Sequence, residues 1–191
     1  MDNIPELTSA CYARQPVDGP HSLRELPLEG KLNLRGNIAD TEFTSAVDEV
    51  LGTKLPAAAH TSTEGASGRM VWLGPDEWQF CCDIDSADSL FQALRDRLGP
   101  VHSAVTEVSD YYTVLRLTGP DAEAILRRGC PLDLHPDKFT AGTITQTRFG
   151  HASILLQKNT DGESWEIQVR WTYAEYLWDY LVSAMKAVES S

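Results

Sequence analysis

Apolar and polar residues follow two different periods along this chain, and the periods switch repeatedly. Short alternating runs are typical of half-buried strands, whereas apolar residues that recur every three or four positions are typical of amphipathic helices. The alternating runs predict strands at residues 28–34, 69–73, 78–84, 101–108, 112–117, 143–149, 151–157 and 165–170. Residues 57–68 are small and polar, and they predict a mobile loop.

Two helices are predicted in the first half from their apolar stripes and from the residues that flank them. Asp40 or Thr41 caps the first helix, and Gly52 ends it. Ser86 caps the second helix, which ends at the Gly-Pro pair that begins at Gly99.

Two further helices are predicted in the second half. Thr118 caps a short helix that ends before Gly129. Thr172 and Glu175 form a capping box for the last helix. The apolar face of that last helix carries Tyr176, Leu177, Tyr180, Leu181, Ala184 and Val188.

The second half repeats the order of elements in the first half. Residues 32–36 (Leu-Asn-Leu-Arg-Gly) parallel residues 115–119 (Leu-Arg-Leu-Thr-Gly), and each stretch precedes a predicted helix. Both halves end in an amphipathic helix. The sequence therefore predicts an α+β fold of two related lobes with mixed or antiparallel sheets, residues 26–105 and 106–191, packed as one compact unit. Residues 1–25 show no clear period, and they predict an extended N-terminal arm.

Composition argues against several classes of function. The 191 residues carry a formal net charge of −12, which repels phosphate backbones and anionic lipid, so we expect neither nucleic acid nor a membrane as partner. No stretch approaches the roughly 20 apolar residues of a membrane span, and the first six residues do not resemble a signal peptide. The four cysteines form no CxxC pair, which favours reduced thiols and a cytoplasmic protein.

Candidate residues for catalysis or metal binding are few. The five histidines include no i, i+4 pair on a predicted helix, and none neighbours a ligand-spaced cysteine or carboxylate cluster. Glycine-rich phosphate loops and a GxSxG elbow are absent from the sequence. Asp76 and Glu77 are adjacent in a tight turn, where their side chains diverge, so a solvated turn is favoured over a general acid–base pair. We therefore expect no catalytic, cofactor-binding or metal-binding residue in this chain.

Four segments, taken in order, resemble one known family. They are residues 73–78 (Leu-Gly-Pro-Asp-Glu-Trp), 115–122 (Leu-Arg-Leu-Thr-Gly-Pro-Asp-Ala), 129–136 (Gly-Cys-Pro-Leu-Asp-Leu-His-Pro) and 173–178 (Tyr-Ala-Glu-Tyr-Leu-Trp). These segments resemble the gamma subunits of heterotetrameric sarcosine oxidases. That subunit is similar in fold to the folate-binding aminomethyltransferase of glycine cleavage.

The resemblance implies a non-catalytic structural subunit. The implied complex oxidises sarcosine with oxygen to glycine, hydrogen peroxide and a one-carbon unit, as formaldehyde or methylenetetrahydrofolate. Its alpha, beta and delta subunits would be the partners, and they would hold NAD, FAD, covalent FMN, zinc and tetrahydrofolate. The transferase family carries an acidic pair in the segment that corresponds to residues 149–156. This segment contains no acid here, so we expect folate to bind weakly or not at all.

Aromatic residues indicate where partners would bind. Trp78, Tyr173, Tyr176 and Trp178 are candidate anchors of a subunit interface, because the last helix carries more aromatic surface than one helix face normally hides. The arm of residues 1–24 would gain its order from a partner. Two alternatives remain open: a stand-alone folate-binding or one-carbon transfer protein, and a gamma-like subunit of another N-demethylase complex.

Overall fold

Ten strands and four helices alternate along residues 9–190, the part of the chain that the computed structural model describes. The strands are β1 (Ser22–Glu25), β2 (Gly30–Arg35), β3 (Ser62–Glu64), β4 (Gly68–Gly74), β5 (Glu77–Cys82), β6 (Ala104–Glu107), β7 (Tyr112–Thr118), β8 (Ile144–Phe149), β9 (Ala152–Lys158) and β10 (Ser164–Arg170). The helices are α1 (Thr41–Leu51), α2 (Ile84–Leu98), α3 (Ala122–Leu126) and α4 (Ala174–Glu189). No helix among these residues is long and apolar enough to cross a membrane.

The strands form two five-stranded sheets whose elements follow the same order. The first sheet runs β3-β4-β5-β2-β6, and the second runs β8-β9-β10-β7-β1. In each sheet the strand next to one edge, β2 or β7, leads into a helix, and three consecutive strands then lead into the second helix. All neighbouring strands are antiparallel. The two halves are thus related α+β lobes, as the repeated sequence pattern predicts, and each contains the order β-α-β-β-β-α.

Strand β1 is an edge strand of the second sheet, although it precedes the first lobe in the sequence. In the first lobe, α2 leads to the edge strand β6, whereas in the second lobe β1 takes the corresponding place beside β7. Leu23 is fully buried there, and Ala10 and Cys11 join the same core. The described part of the predicted arm, residues 9–25, therefore packs on this chain itself. Residues 1–8 lie outside the described part.

Several predicted boundaries of helices and strands agree with the structure. Asp40 caps α1 by accepting the backbone N–H of Glu42 at 2.9 Å. Gly52 ends that helix with a φ of 64°, in the left-handed region that glycine adopts at low cost. The hairpin between β9 and β10 turns at Gly162, where φ is 76°.

Three predicted helix caps were wrong. Asp83 rather than Ser86 begins α2, because its carboxylate accepts the Asp85 backbone N–H at 2.9 Å. Thr118 does not cap α3, because its hydroxyl bonds Ser22 across β1 and β7. Thr172 lies inside a 3₁₀ turn, and α4 begins without a side-chain cap.

The predicted loop at residues 57–68 was also wrong in part. It contains the short strand β3, which pairs antiparallel with β4. Its partner β4 begins at Gly68, where a Cβ atom would lie 2.1 Å from the Cys81 carbonyl oxygen. Glycine therefore permits the close approach of β4 to β5 at this point.

Each lobe has its own apolar core between its sheet and its two helices. In the first lobe the core includes Leu32, Leu34, Phe43, Val47, Leu51, Met70, Trp78, Phe80 and Leu94. In the second lobe it includes Leu115, Leu117, Ile125, Phe149, Ile154, Leu156, Trp165, Ile167, Leu177 and Leu181. The opposite faces of the two sheets meet each other, with a small apolar cluster of Val71, Ile144 and Leu155 between them. Polar side chains, among them Gln79 and Gln168, fill part of the remaining space between the lobes.

Candidate subunit interface and inter-lobe cleft

Two of the four predicted interface residues belong to the chain's own cores. Trp78 is fully buried, lies 6.0 Å from the ring of Phe43, and donates its indole N–H to the carbonyl of Pro56 at 3.0 Å. Trp178 is 4% exposed, since α4 turns it towards the second sheet. Neither indole offers surface to a partner, so the prediction that these two residues anchor an interface needs correction.

The other two predicted residues remain accessible at the start of α4. Tyr173 is 41% exposed, and Tyr176 is half-buried. Their rings lie 6.3 Å apart, edge to face. The hydroxyl of Tyr176 accepts the backbone N–H of His151 at 3.2 Å, which fixes the ring against the β8–β9 turn. The interface prediction therefore rests on Tyr173 and Tyr176.

Further aromatic residues extend this accessible region around the junction of β10 and α4. Tyr12 is 72% exposed and lines a depression of about 670 Å³ together with Trp171. Tyr111 is 43% exposed, and the guanidinium carbon of Arg170 lies 5.2 Å from its ring centroid. The name "aromatic surface" is used below for Tyr12, Tyr111, Trp171 and Tyr173.

Sequence analysis placed one residue of the aromatic surface, Tyr173, among the candidate interface residues and missed the other three. Trp171 and Tyr173 are close in sequence, but Tyr12 and Tyr111 lie in distant segments. Acidic groups accompany these rings, since Glu175 lines the same depression as Tyr12. Packing of the N-terminal segment on the second lobe is what brings Tyr12 beside Trp171, and no local pattern signals that packing.

A buried polar layer joins the two sheets. Gln79 of β5 and Gln168 of β10 are both buried, and their amides exchange two hydrogen bonds of 2.8 and 2.9 Å. Arg69 of β4 donates to the side-chain oxygen of Gln157 at 2.6 Å. Strand alternation predicts that these residues lie on the polar face of each sheet. The other lobe covers that face, so they pair across the interface and not with water.

A cleft of about 770 Å³ opens beside this layer, with walls from both lobes. Arg116 donates to the Glu166 carboxylate at 2.6 Å, and Arg69 lies 3.9 Å from the same carboxylate. Burial raises the pKa of the Cys82 thiol to about 11, and it also raises that of Cys81. The two arginines of the cleft therefore lie beside one carboxylate, and the thiols of the cleft keep their protons at neutral pH.

Residues 149–156, which lack the acidic pair of the transferase family, span the end of β8, the β8–β9 turn and most of β9. Ala152, Ile154 and Leu156 of this strand face the second core, and Ser153 lies on the opposite, exposed side. Within residues 9–190, no group of three or more His, Cys, Asp and Glu side chains could hold a metal ion.

Comparison with solved structures first defines the class of fold. The chain superposes on the glycine cleavage system aminomethyltransferase T from Bartonella henselae with a TM-score of 0.60. The match covers 84% of this chain and 45% of that chain, at 17% sequence identity. The chain is thus a two-lobed α+β protein of the aminomethyltransferase-type fold, and this likeness carries no further conclusion about function.

Sequence comparison then gives the family. The profile of the "Sarcosine oxidase, gamma subunit family" matches residues 35–187. The sarcosine oxidase subunit gamma of Corynebacterium sp. (strain U-96) is 34% identical over 165 residues, which are 86% of this chain and 78% of that protein. The subunit gamma of Arthrobacter sp. is 32% identical over 181 residues, 94% of this chain and 87% of that protein. This chain belongs to the sarcosine oxidase gamma subunit family, as the four sequence segments predict.

One solved complex contains a chain of closely similar structure. It is the heterotetrameric sarcosine oxidase from Corynebacterium sp. U-96 in complex with pyrrole 2-carboxylate. The TM-score is 0.80 at 31% sequence identity, and the match covers 90% of this chain and 88% of that chain. The two-lobed fold is therefore similar over nearly the full length of both chains.

Proposed function

We propose that this chain is the gamma subunit of a heterotetrameric sarcosine oxidase and that its role there is structural. The observation that carries the proposal is the structural match, at a TM-score of 0.80, to a chain of a heterotetrameric sarcosine oxidase. The family profile over residues 35–187 supports the same assignment from sequence. Alpha, beta and delta subunits would complete the assembly in the cytoplasm.

The chemistry of the complex would take place in the partner subunits. The cleft between the lobes pairs its arginines with Glu166 and keeps its thiols protonated, so its cysteines supply no thiolate nucleophile. FAD, covalent FMN, NAD, zinc and tetrahydrofolate would bind in the other chains. The assembled enzyme would oxidise sarcosine with oxygen to glycine, hydrogen peroxide and a one-carbon unit.

The aromatic surface is our proposed contact with a larger subunit. Tyrosine and tryptophan are enriched in the centres of protein interfaces, and three of these four side chains are more than one-third exposed. The net charge of −12 would speed capture by a less acidic partner. An interface of a permanent complex is expected to bury more than roughly 2,000 Å² in total.

Co-expression tests the proposal. The chain, carrying an affinity tag, is produced alone and together with the alpha, beta and delta subunits. We expect the co-expressed sample to contain all four chains, flavin absorbance and sarcosine-dependent peroxide, whereas the isolated chain shows neither. A tagged chain that emerges alone from co-expression, or a stoichiometric flavin in the isolated chain, would contradict the proposal.

Two further measurements separate the alternatives. Calorimetric titration of the isolated chain with tetrahydrofolate is expected to give no saturable heat at micromolar concentrations, and such binding would favour a one-carbon transfer protein. A complex that oxidises another N-methylated amine but not sarcosine would favour a different N-demethylase.

A further inference from the structure

Lys158 occupies a position where the sheet pattern calls for an apolar residue. Along β9, Ala152, Ile154 and Leu156 face the second core, and Lys158 continues the same side of the strand. Its side chain is accordingly 8% exposed. Lysine is almost never this buried unless it is paired, so its surroundings need an explanation.

The ammonium group of Lys158 is stabilised by one aromatic ring. It lies 5.2 Å from the centroid of Trp165, its cross-strand neighbour on β10. Within residues 9–190 this nitrogen is in no ion pair, and it is not one of the buried polar atoms that lack a partner, so the ammonium group reaches solvent through the cavity at its end. A cation–π contact offsets part of the desolvation cost of a buried cation, and an anionic partner would offset more of it.

A cavity of about 540 Å³ lies at this position. Lys158 and Trp165 line it, and two prolines, Pro120 and Pro136, add rigid apolar walls. The other lining residues come from the start of α3 and from the β9–β10 hairpin: Thr118, Gly119, Ala122, Glu123, Asp161, Gly162, Glu163 and Ser164. This cavity is named the Lys158 pocket below.

Two of the three acids that line the pocket, Asp161 and Glu123, already have other partners. Asp161 accepts the Ser164 hydroxyl at 2.6 Å and the backbone N–H groups of Glu163 and Ser164 at 2.9 Å each. Glu123 pairs with Arg127 at 2.7 Å, one helical turn further along. Among the residues that line the pocket, Lys158 is the cation that remains available to bind an anionic ligand.

We propose that the Lys158 pocket binds the carboxylate of a singly charged organic acid whose body is flat or apolar. The Lys158 ammonium would hold the carboxylate by a charge-assisted hydrogen bond, and Trp165 with the two prolines would contact the body. The three acids of the lining, Glu123, Asp161 and Glu163, disfavour any anion, and they disfavour a phosphate dianion more strongly than a singly charged carboxylate. The carboxylate could belong to a free small acid or to the C-terminus of a polypeptide. This site is independent of the proposed assembly, because it lies in this chain alone.

Calorimetry on the isolated full chain tests the site with benzoate as the probe and benzamide as its uncharged counterpart. We expect saturable binding of benzoate and none of benzamide. The Lys158→Met variant should weaken benzoate binding at least about tenfold, because a charge-assisted hydrogen bond is lost. Lys186→Met, which removes an exposed lysine from α4, should leave the affinity unchanged.

A peptide pair separates the two sources of the carboxylate. Acetyl-Ala-Ala-Phe with a free C-terminus is compared with the same peptide as its amide. Tighter binding of the free peptide than of benzoate assigns the pocket to a polypeptide terminus, and the reverse order assigns it to a free acid. Both results support the site if they depend on Lys158.

A second measurement does not depend on the folding of the variant. In the wild-type chain, the indole N–H signal of Trp165, assigned with Trp165→Phe, should shift on benzoate titration, and the signals of the other four tryptophans should stay in place. The Lys158→Met chain should also be at least as resistant to heat as the wild type without ligand, because the buried stem of Lys158 is replaced by an apolar side chain of similar length. Absence of saturable binding of both probes, or full binding by Lys158→Met, would overturn the proposal.

Discussion

At the scale of single residues, burial decides the chemistry of the cysteine thiols. Burial, with a smaller effect of Glu25, raises the pKa of Cys11 from 9.0 to about 12, and burial raises that of Cys82 to about 11. The sequence indicates reduced thiols from their spacing alone. The structure adds the reason they stay unreactive, which is that the thiolate is disfavoured inside the protein.

These shifts predict how stability depends on pH. In the unfolded chain the thiols lose protons above about pH 9, whereas the folded chain retains them, so the free energy of unfolding should fall as pH rises from about 9 towards 11 to 12. Urea unfolding followed from about pH 8 to about pH 10.5 measures this slope. The Cys11→Ser variant should show a shallower slope than the wild type. A stability that stays level or rises over this range would contradict the assignment.

The buried glutamine pair predicts a second effect at this scale. Gln79→Leu should destabilise the chain by about 1–3 kcal/mol, because it leaves the buried amide of Gln168 without its partner. The double variant with Gln168→Leu should cost less than the sum of the two single changes. A double-mutant cycle by chemical denaturation tests this, and strictly additive costs would show that the amides do not interact.

At the scale of elements, the N-terminal strand is the main departure from the sequence prediction. Residues 1–25 lack a period because β1 has just four residues, too few to show one. Leu23 nevertheless lies in the core, and β1 pairs along its length with β7. The segment therefore stabilises the second lobe directly, and removing it exposes the edge of β7.

Leu23→Ala should accordingly destabilise the chain by about 2–5 kcal/mol, the usual cost of a buried Leu→Ala change. The matched control is Ile38→Ala, at a side chain that is 38% exposed in the first lobe, and its effect should be much smaller. Chemical denaturation gives both values, and hydrogen exchange should show β7 losing protection in the Leu23 variant. Equal stability of both variants would mean that β1 does not belong to the folded unit.

At the scale of the whole molecule, the exposed aromatic side chains predict where a partner binds. The Tyr111→Ser, Tyr173→Ser double variant should weaken capture by the larger subunits at least about tenfold, since one buried aromatic anchor can contribute about 2 kcal/mol. Surface plasmon resonance with the remaining subunits measures this affinity. Ile38→Ser, on the first lobe, is the control for loss of an exposed apolar side chain.

Stability must be compared alongside affinity. Tyr111 and Tyr173 are both more than two-fifths exposed, so the double variant should unfold at nearly the wild-type urea concentration. Unchanged capture by a folded double variant would place the interface elsewhere on the chain.

The sequence by itself determined eight of the ten strands, the four helices, the family and the repeat of two lobes. Alternation over a few residues is enough to define a strand such as β7, and a cap with a terminal glycine is enough to define α1. The same local rules failed at Thr118 and Thr172, where the chain enters a strand pair and a 3₁₀ turn. Local sequence cannot report a competing contact that comes from a distant segment.

Tertiary structure alone decided which polar faces are buried and which aromatic residues are exposed. Alternation places Gln79 and Gln168 on the polar faces of their strands. Whether water or another sheet covers such a face depends on how the lobes pack. Packing within each lobe buries Trp78 and Trp178 and leaves Tyr173 accessible, and strand pairing in the second sheet places Lys158 beside Trp165. Periodicity shows on which side of a helix or strand a residue lies. What packs against that side is decided by contacts between residues far apart in the chain.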